Sequence, residues 1–156
     1  FITLKGEASF NNMGDISGAA KIASAFGDDN AVCIVKHGNP CGFAIKDTLL
    51  ESYEQALRCD PISAFGGVVA VNGTVDLDLA IKMNEIFLEV VFAADFTAEA
   101  EEELNKKKRI KLFKQGTAKL DLSDDDFNFK IVDGGFVYQD ADKVEDDEVK
   151  NSELKS

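Results

Sequence analysis

The chain has 156 residues, of which 45% are hydrophobic and 29% charged, values typical of a soluble globular protein with one core. It begins at Phe1, so we expect it to be a piece of a longer polypeptide. No apolar run is long enough to span a bilayer, and we expect no secretory leader, no membrane partner and a cytoplasmic location. The three cysteines form no C-x-x-C pair, which favours free thiols in a reducing compartment.

The net charge of −12 lies mainly in the last part of the chain. Residues 121–153 contain twelve acids and three lysines, which leaves a balance of −9 there. Such a surface repels phosphate backbones, so we expect no nucleic acid partner. It also repels small anions, so a site for an anionic substrate has to be created locally.

Strand and helix patterns alternate along the chain. Strands are predicted at residues 1–5, 31–36, 66–73, 88–93 and 109–116, helices at 15–27, 47–60, 76–87 and 97–108, and a hairpin at 128–140. This alternation predicts an α/β fold, with helices on both faces of a largely parallel or mixed sheet. In parallel sheets, ligands usually bind beyond the carboxyl ends of the strands.

Several local signals set the predicted boundaries. Asp15 is the predicted cap of the first helix, Thr48 and Glu51 have capping-box spacing, and Asp76 begins the third helix. Asn72-Gly73 is expected to close its strand. Residues 141–156 are polar with few apolar anchors, and are predicted to be an acidic surface segment or tail.

The only histidine of the chain, His37, follows Lys36 at the end of an apolar stretch. Imidazole titrates near neutral pH, and a neighbouring ammonium disfavours its protonated form, so His37 is a candidate base. The two side chains reach one cleft only if the strand ends there, since neighbours on a strand face opposite sides. The alternative is a plain strand end that runs into a Pro-Cys-Gly turn.

The stretch CDPISAFGG is a second candidate. Phe65 offers a ring face to a flat heterocycle, and Gly66 lets the backbone approach a ligand, although a plain loop is the alternative. Glu89 is a lone acid in an apolar stretch, so it either faces solvent or binds something. Asn12 belongs to SFNN, which could equally form a turn before the first helix.

Common cofactor and catalytic signatures are missing from the sequence. It contains no G-x-x-x-x-G-K-[ST], no G-x-G-x-x-G and no G-x-S-x-G. Zinc deaminases carry H-x-E and later P-C-x-x-C, whereas here the histidine precedes Gly38-Asn39 and Pro40-Cys41 precedes Gly42-Phe43. The zinc ligands are therefore missing, and we expect no metal requirement.

The stretches SFNN, VKHGNPCG, CDPISAFGG, EIFLEVVFA and EELNKKKRIKL, in this order, closely resemble the transformylase part of the AICAR formyltransferase/IMP cyclohydrolase family. IVDGGFVYQD is similar to the GGxLxQD segment of that family. The resemblance covers nearly all of residues 2–140. It implies a cytidine-deaminase-like, three-layer α/β/α fold without zinc, in which residues 1–140 form the first lobe of the transformylase domain.

The resemblance also implies an activity. A formyl group would pass from 10-formyltetrahydrofolate, a co-substrate, to the 5-amino group of AICAR in the biosynthesis of IMP, a purine nucleotide. The family's cyclohydrolase domain precedes this region, and the second half of the transformylase domain follows it. Family sites form across a homodimer interface, so a chain with one lobe could lack activity by itself.

The resemblance assigns roles to individual residues. His37 would remove a proton from the attacking amine. Lys36 would either stabilise charge on the formyl oxygen or assist proton delivery to the departing folate nitrogen, and both roles stay open. The remaining matched positions are substrate-binding: Asn12, Asn39, Phe65, Gly66 and Glu89.

Two alternatives belong to other functional classes. A non-catalytic module would bind AICAR or a related nucleotide without folate-dependent turnover. A structural or interaction domain would bind neither substrate and would use its acidic segment.

Overall fold

The computed structural model describes residues 1–116 and 127–140. The chain divides into two compact units, one within residues 1–120 and the other within residues 121–156. Each unit is described by itself.

The described part of the first unit contains six strands and five helices. In chain order they are β1 (Ile2–Lys5), α1 (Phe10–Ser24), β2 (Ala31–Lys36), β3 (Asn39–Ile45), α2 (Leu49–Cys59), α3 (Pro61–Ala64), β4 (Val68–Val75), α4 (Leu77–Met83), β5 (Val90–Phe96), α5 (Ala98–Asn105) and β6 (Lys111–Lys114). In the second unit, β7 (Phe127–Val132) and β8 (Gly135–Asp140) form the predicted antiparallel hairpin.

The six strands form one mixed sheet in the order β1-β6-β5-β4-β2-β3. Strands β4, β5 and β6 are parallel, because α4 and α5 cross over between them. Strand β2 runs antiparallel to both β4 and β3, and β1 runs antiparallel to β6. The predicted α/β class and a mixed sheet are therefore confirmed.

Helices cover both faces of the sheet. Alternate residues of β2 belong to different cores: Cys33 and Val35 pack with α1, whereas Val32 and Ile34 lie in the core that contains residues of α2, α4 and α5. All four of these side chains are buried, which explains why β2 is a continuous apolar run. The predicted three-layer α/β/α arrangement is confirmed.

Helix α1 begins at Phe10, five residues before the predicted cap. Ser9 is the actual N-cap, and it forms a capping box with Asn12, whose side chain accepts from the Ser9 amide. The prediction that Asp15 caps this helix is therefore wrong. The Asp15 carboxylate instead accepts a hydrogen bond from the Gly38 amide.

Strand β3 is absent from the sequence predictions, which placed a Pro-Cys-Gly turn there. The turn consists instead of His37 and Gly38, whose φ angles are 54° and 77°. Positive φ at both central residues is the requirement of a type I′ turn, which suits the twist of a two-residue hairpin. Pro40 is tolerated because β3 is an edge strand.

Most other boundaries follow the sequence signals. The capping box of Thr48 and Glu51 and the cap at Asp76 are confirmed. Strand β4, however, continues beyond Asn72, whose side-chain amide donates to the carbonyl oxygens of Gly27 and Asp29.

Among the described helices, none combines the length and apolarity that crossing a membrane requires. The predicted segment 141–156 lies outside the described residues.

Candidate active site

The candidate residues gather at one end of the main sheet. Val35, Val68, Val90 and Lys111 pair in a single row across β2, β4, β5 and β6. Because β2 is antiparallel to its neighbours, this end combines the carboxyl end of β2 with the amino ends of the other three strands. Of these four strands, only β2 therefore contributes its carboxyl end, where the sequence predicted a ligand site.

Asn12, Glu89 and Lys111 form a closed hydrogen-bonded triangle. Asn12 Nδ2 donates to Glu89 Oε1 at 3.1 Å, and Lys111 Nζ donates to Asn12 Oδ1 at 2.6 Å and to Glu89 Oε1 at 3.1 Å. The Asn12 side chain reaches this point because its residue lies in the first turn of α1, where it is 4% exposed. A buried amide needs such partners.

The orientation of the Asn12 amide follows from its neighbours. Its Oδ1 faces the Lys111 ammonium and the Ser9 backbone amide, the latter at 3.1 Å. Both groups are donors only, so the oxygen must face them and the Nδ2 must face the Glu89 carboxylate.

Glu89 keeps a negative charge at this end of the sheet. The hydrogen bond from Asn12, the bond to Lys111 and the electrostatic effects of Lys111 and His37 lower the pKa of Glu89, whereas burial opposes them. The side chain is still 40% exposed, so it is accessible to a ligand. The sequence left two alternatives for Glu89, exposure to solvent or a binding partner. The structure shows both, since the side chain is partly exposed and bonds Asn12 and Lys111.

Lys36 connects the end of β2 to the second candidate stretch. Its Nζ donates to the carbonyl oxygen of Phe65 at 2.7 Å. Phe65 is 56% exposed, and its ring packs on that of Phe87 in a tilted arrangement with a centroid distance of 5.5 Å. A partly exposed aromatic ring can stack on a flat heterocycle.

The turn that carries His37 is fixed by two side chains. Asp15 Oδ1 accepts from the Gly38 amide at 2.7 Å, and Asn39 Nδ2 donates to the His37 carbonyl at 3.1 Å. His37 is exposed. The strand does end at Lys36, which was the condition for both members of the pair to reach one cleft.

The two glycines after Phe65 have packing reasons to be there. Gly66 has a φ of 74°, and its amide donates to the Phe87 carbonyl at 2.7 Å. A Cβ on Gly67 would lie 3.0 Å from the Ala64 carbonyl oxygen. The Gly66 amide is therefore engaged within the protein.

The predicted residues thus form two bonded groups. One contains Asn12 and Glu89, the other contains Lys36 and Phe65, and the Glu89 amide bonds the Gly67 carbonyl between them at 3.0 Å. His37 lies near enough to act on the charge of Glu89. The side chain of Asn39 bonds within the turn, to the His37 carbonyl.

Sequence reasoning missed Lys111. The signal was the order of the strands: β5 and β6 are consecutive and parallel, so their first residues share one edge of the sheet. A lysine that opens β6 must therefore lie beside an acid that immediately precedes β5.

Across residues 1–116 and 127–140, no three or more His, Cys, Asp or Glu side chains are grouped as a metal site requires. The lack of a metal requirement stays a prediction.

The three cysteines are free, as predicted. Burial is the main cause that raises the pKa of Cys33 to about 12, so this thiol is unreactive.

The fold defines the class of protein. The crystal structure of dCMP deaminase from the cyanophage S-TIM5 matches this chain with a TM-score of 0.53 and 11% sequence identity. The match covers 64% of this chain and 95% of the deaminase. At this identity the likeness concerns the fold alone, and it confirms the predicted cytidine-deaminase-like α/β architecture.

Residues 1–155 match the family model described as AICARFT/IMPCHase bienzyme. Curated relatives carry the name bifunctional purine biosynthesis protein PurH. That of Petrotoga mobilis is 39% identical over 137 residues, that of Thermoanaerobacter sp. 42% over 144, and that of Brachyspira hyodysenteriae 43% over 139. These matches cover 88%, 91% and 87% of this chain. The chain belongs to the AICARFT/IMPCHase family.

The chain covers only part of those relatives. The matched region is 26% or 27% of their length, so this chain spans about a quarter of each. What the complete relatives do is therefore carried to this chain only as a proposal.

Proposed function

We propose that the polypeptide containing this chain transfers a formyl group from 10-formyltetrahydrofolate to the 5-amino group of AICAR. The products are formyl-AICAR and tetrahydrofolate, and the step belongs to IMP biosynthesis. This chain contributes part of the site. The supporting observation is that residues matched from separate motifs, among them Asn12, Lys36, Phe65 and Glu89, gather at one end of a sheet in a member of the AICARFT/IMPCHase family.

The reaction needs a base. The AICAR amine is a poor nucleophile, because its lone pair is delocalised toward the carboxamide. As the amine nitrogen attacks the formyl carbon, its proton passes to the His37 imidazole. The tetrahedral intermediate then collapses, the bond between the formyl carbon and the folate nitrogen breaks, and that nitrogen receives a proton.

Lys36 contributes a positive charge. One hydrogen of its ammonium is engaged by the Phe65 carbonyl, which leaves two for substrate. They could stabilise the negative charge on the formyl oxygen or deliver a proton to the departing folate nitrogen. The bond to Phe65 favours neither role over the other.

Substrate binding involves the remaining residues. Phe65 stacks on the imidazole carboxamide, and Gly66 offers its carbonyl to it. Asn12 and Glu89 contact the nucleotide. Asn39, also matched as substrate-binding, in addition supports the turn that carries His37.

The proposal extends to organisation. Residues 1–140 form the first lobe of a transformylase domain, and the site is completed across a homodimer in which the polypeptide also carries the IMP cyclohydrolase. We place the protein in the cytoplasm, where reducing conditions keep its three thiols free.

The test is a formyl-transfer assay on the full-length protein that contains this chain. AICAR and 10-formyltetrahydrofolate are mixed, and tetrahydrofolate release is followed together with AICAR binding by calorimetry. Turnover supports the proposal. AICAR binding without turnover would instead identify a non-catalytic nucleotide-binding module, and no binding of either substrate would identify a structural domain.

A further inference from the structure

Lys111 lies in the site, but the proposed chemistry gives it no role. We propose that Lys111 is a positioning residue for nucleotide binding: it orients Asn12 and Glu89 so that both present hydrogen-bonding groups to AICAR. This inference rests on the proposed function and deepens it.

The contacts of Lys111 define what it orients. Its Nζ bonds Asn12 Oδ1 at 2.6 Å and Glu89 Oε1 at 3.1 Å, and Asn12 and Glu89 bond each other at 3.1 Å. Each of the three groups is thus held by the other two. The triangle joins the first turn of α1, the residue before β5 and the first residue of β6. No member can rotate without breaking a bond to each of its partners.

The triangle leaves defined groups for a ligand. Both hydrogen bonds to Glu89 end on Oε1, so Oε2 remains an acceptor. Asn12 Nδ2 uses one of its two hydrogens on Glu89, so a second donor remains. Because Asn12 is 4% exposed and the Glu89 side chain 40%, Oε2 is the group that a ligand meets first, with the second Nδ2 hydrogen beside it. This arrangement suits a polar group of the nucleotide that donates to Glu89.

The lysine side chain is itself held in place. Its side chain is 23% exposed, and its stem packs against Gly6, whose φ is 74°. A Cβ at Gly6 would lie 2.9 Å from Lys111 Cγ, so only glycine leaves room for this path. The ammonium also offsets the negative charge of Glu89, which would otherwise repel a phosphorylated substrate.

The test uses the full-length protein with Lys111→Met, and measures kcat, the KM for AICAR and the Kd for AICAR. Loss of a charge-assisted hydrogen-bond partner predicts that KM and Kd rise by about tenfold or more. The kcat value should stay within about threefold, since Lys111 touches no reacting group. Lys111→Arg keeps the charge and the donors, and should restore both constants to within about twofold.

Lys114→Met is the matched control. Lys114 lies on the same strand and pairs with Asp95 at 2.9 Å, at an exposure similar to that of Lys111. It should leave the KM for AICAR unchanged. If Lys111→Met does not fold, Lys111→Gln, which keeps an amide donor without the charge, takes its place.

The outcomes separate the inference from the proposed function. A wild-type protein without turnover would contradict the proposed function. Turnover by the wild type together with unchanged KM and Kd in Lys111→Met would overturn the inference alone. Lys111 would then have only a structural role. The inference also predicts that Lys111→Met and Glu89→Gln combine less than additively, because they remove parts of one triangle.

Discussion

His37 has a backbone conformation that most residues avoid. Its φ of 54° lies in the left-handed region, which costs an ordinary L-residue about 1–2 kcal/mol and which His, Asn and Asp tolerate better. The backbone conformation of the turn therefore already restricts which residues can occupy position 37, whatever the chemistry requires. In this chain a histidine meets both requirements, because it accepts the conformation and also brings an imidazole.

Glu89 gives a prediction about pH. Its pKa is held below the usual value of 4.5, first by the bond from Asn12 and then by Lys111, so the folded state favours the ionised form. That contribution to stability is present above pH 4.5 and is lost as pH falls through the lower folded-state pKa.

The measurement is urea unfolding of the wild type and of Glu89→Gln across this range. The wild type should be the more stable of the two at pH 7, and the difference should shrink below about pH 4.5. A difference that persists unchanged to strongly acidic pH would show that the charge of Glu89 contributes nothing.

At the scale of elements, α1 fixes the turn that carries His37, the proposed base, through Asp15. Its carboxylate accepts from the Gly38 amide at 2.7 Å and so ties the β2–β3 turn to the helix. Asp15→Ala removes the acceptor and should lower kcat by about tenfold or more, because small displacements of a catalytic group are costly. Asp15→Asn keeps an oxygen acceptor and should retain most of the activity.

Steady-state kinetics of both variants in the full-length protein check this role. The KM for AICAR should change less than kcat, since the displaced group is the proposed base. Wild-type kcat in Asp15→Ala would mean that the turn is held well enough without the helix.

The contact between β3 and α2 explains another glycine of the histidine motif. A Cβ on Gly42 would lie 2.1 Å from the Ala56 carbonyl oxygen, which belongs to the backbone of α2. Gly42→Ala should therefore destabilise the fold by about 1–3 kcal/mol, as overpacking does. Gly18→Ala is the control, because Gly18 lies on α1 and a Cβ there would have no neighbouring element within 4 Å.

Urea unfolding followed by circular dichroism compares the two variants. Gly18→Ala should be neutral or stabilising by up to about 1 kcal/mol, as alanine favours a helix interior. Equal stability of the two variants would contradict the close packing of β3 on α2.

At the scale of the whole molecule, the sequence predicts the layers better than the strand directions. Continuous apolar runs such as 31–36 and 88–93 predict strands covered on both faces, and the helix caps at Thr48 and Asp76 are local signals. The antiparallel pairing of β2 with β3 depends on the two-residue turn at His37 and Gly38. The sequence favoured a later turn, because Pro40 and Gly42 follow.

The candidate site shows the same division. Residue chemistry marked Lys36, His37, Phe65 and Glu89 as candidates, and the motif resemblance assigned their roles. Lys111 could be recognised only once two strands were placed side by side. The role of Asp15 also depends on tertiary structure, because its bond to Gly38 spans 23 positions along the chain. Long-range partners of this kind leave no periodic pattern in a sequence.

The most direct test of the account is the rate of formyl transfer in His37→Asn. Asn-Gly is a preferred pair for a type I′ turn, so this variant should keep the backbone conformation while it removes the proposed base. We predict unchanged folding, AICAR binding close to that of the wild type, and a kcat lowered by about a hundredfold or more. A folded His37→Asn protein that transfers formyl groups at a rate close to the wild type would contradict the account.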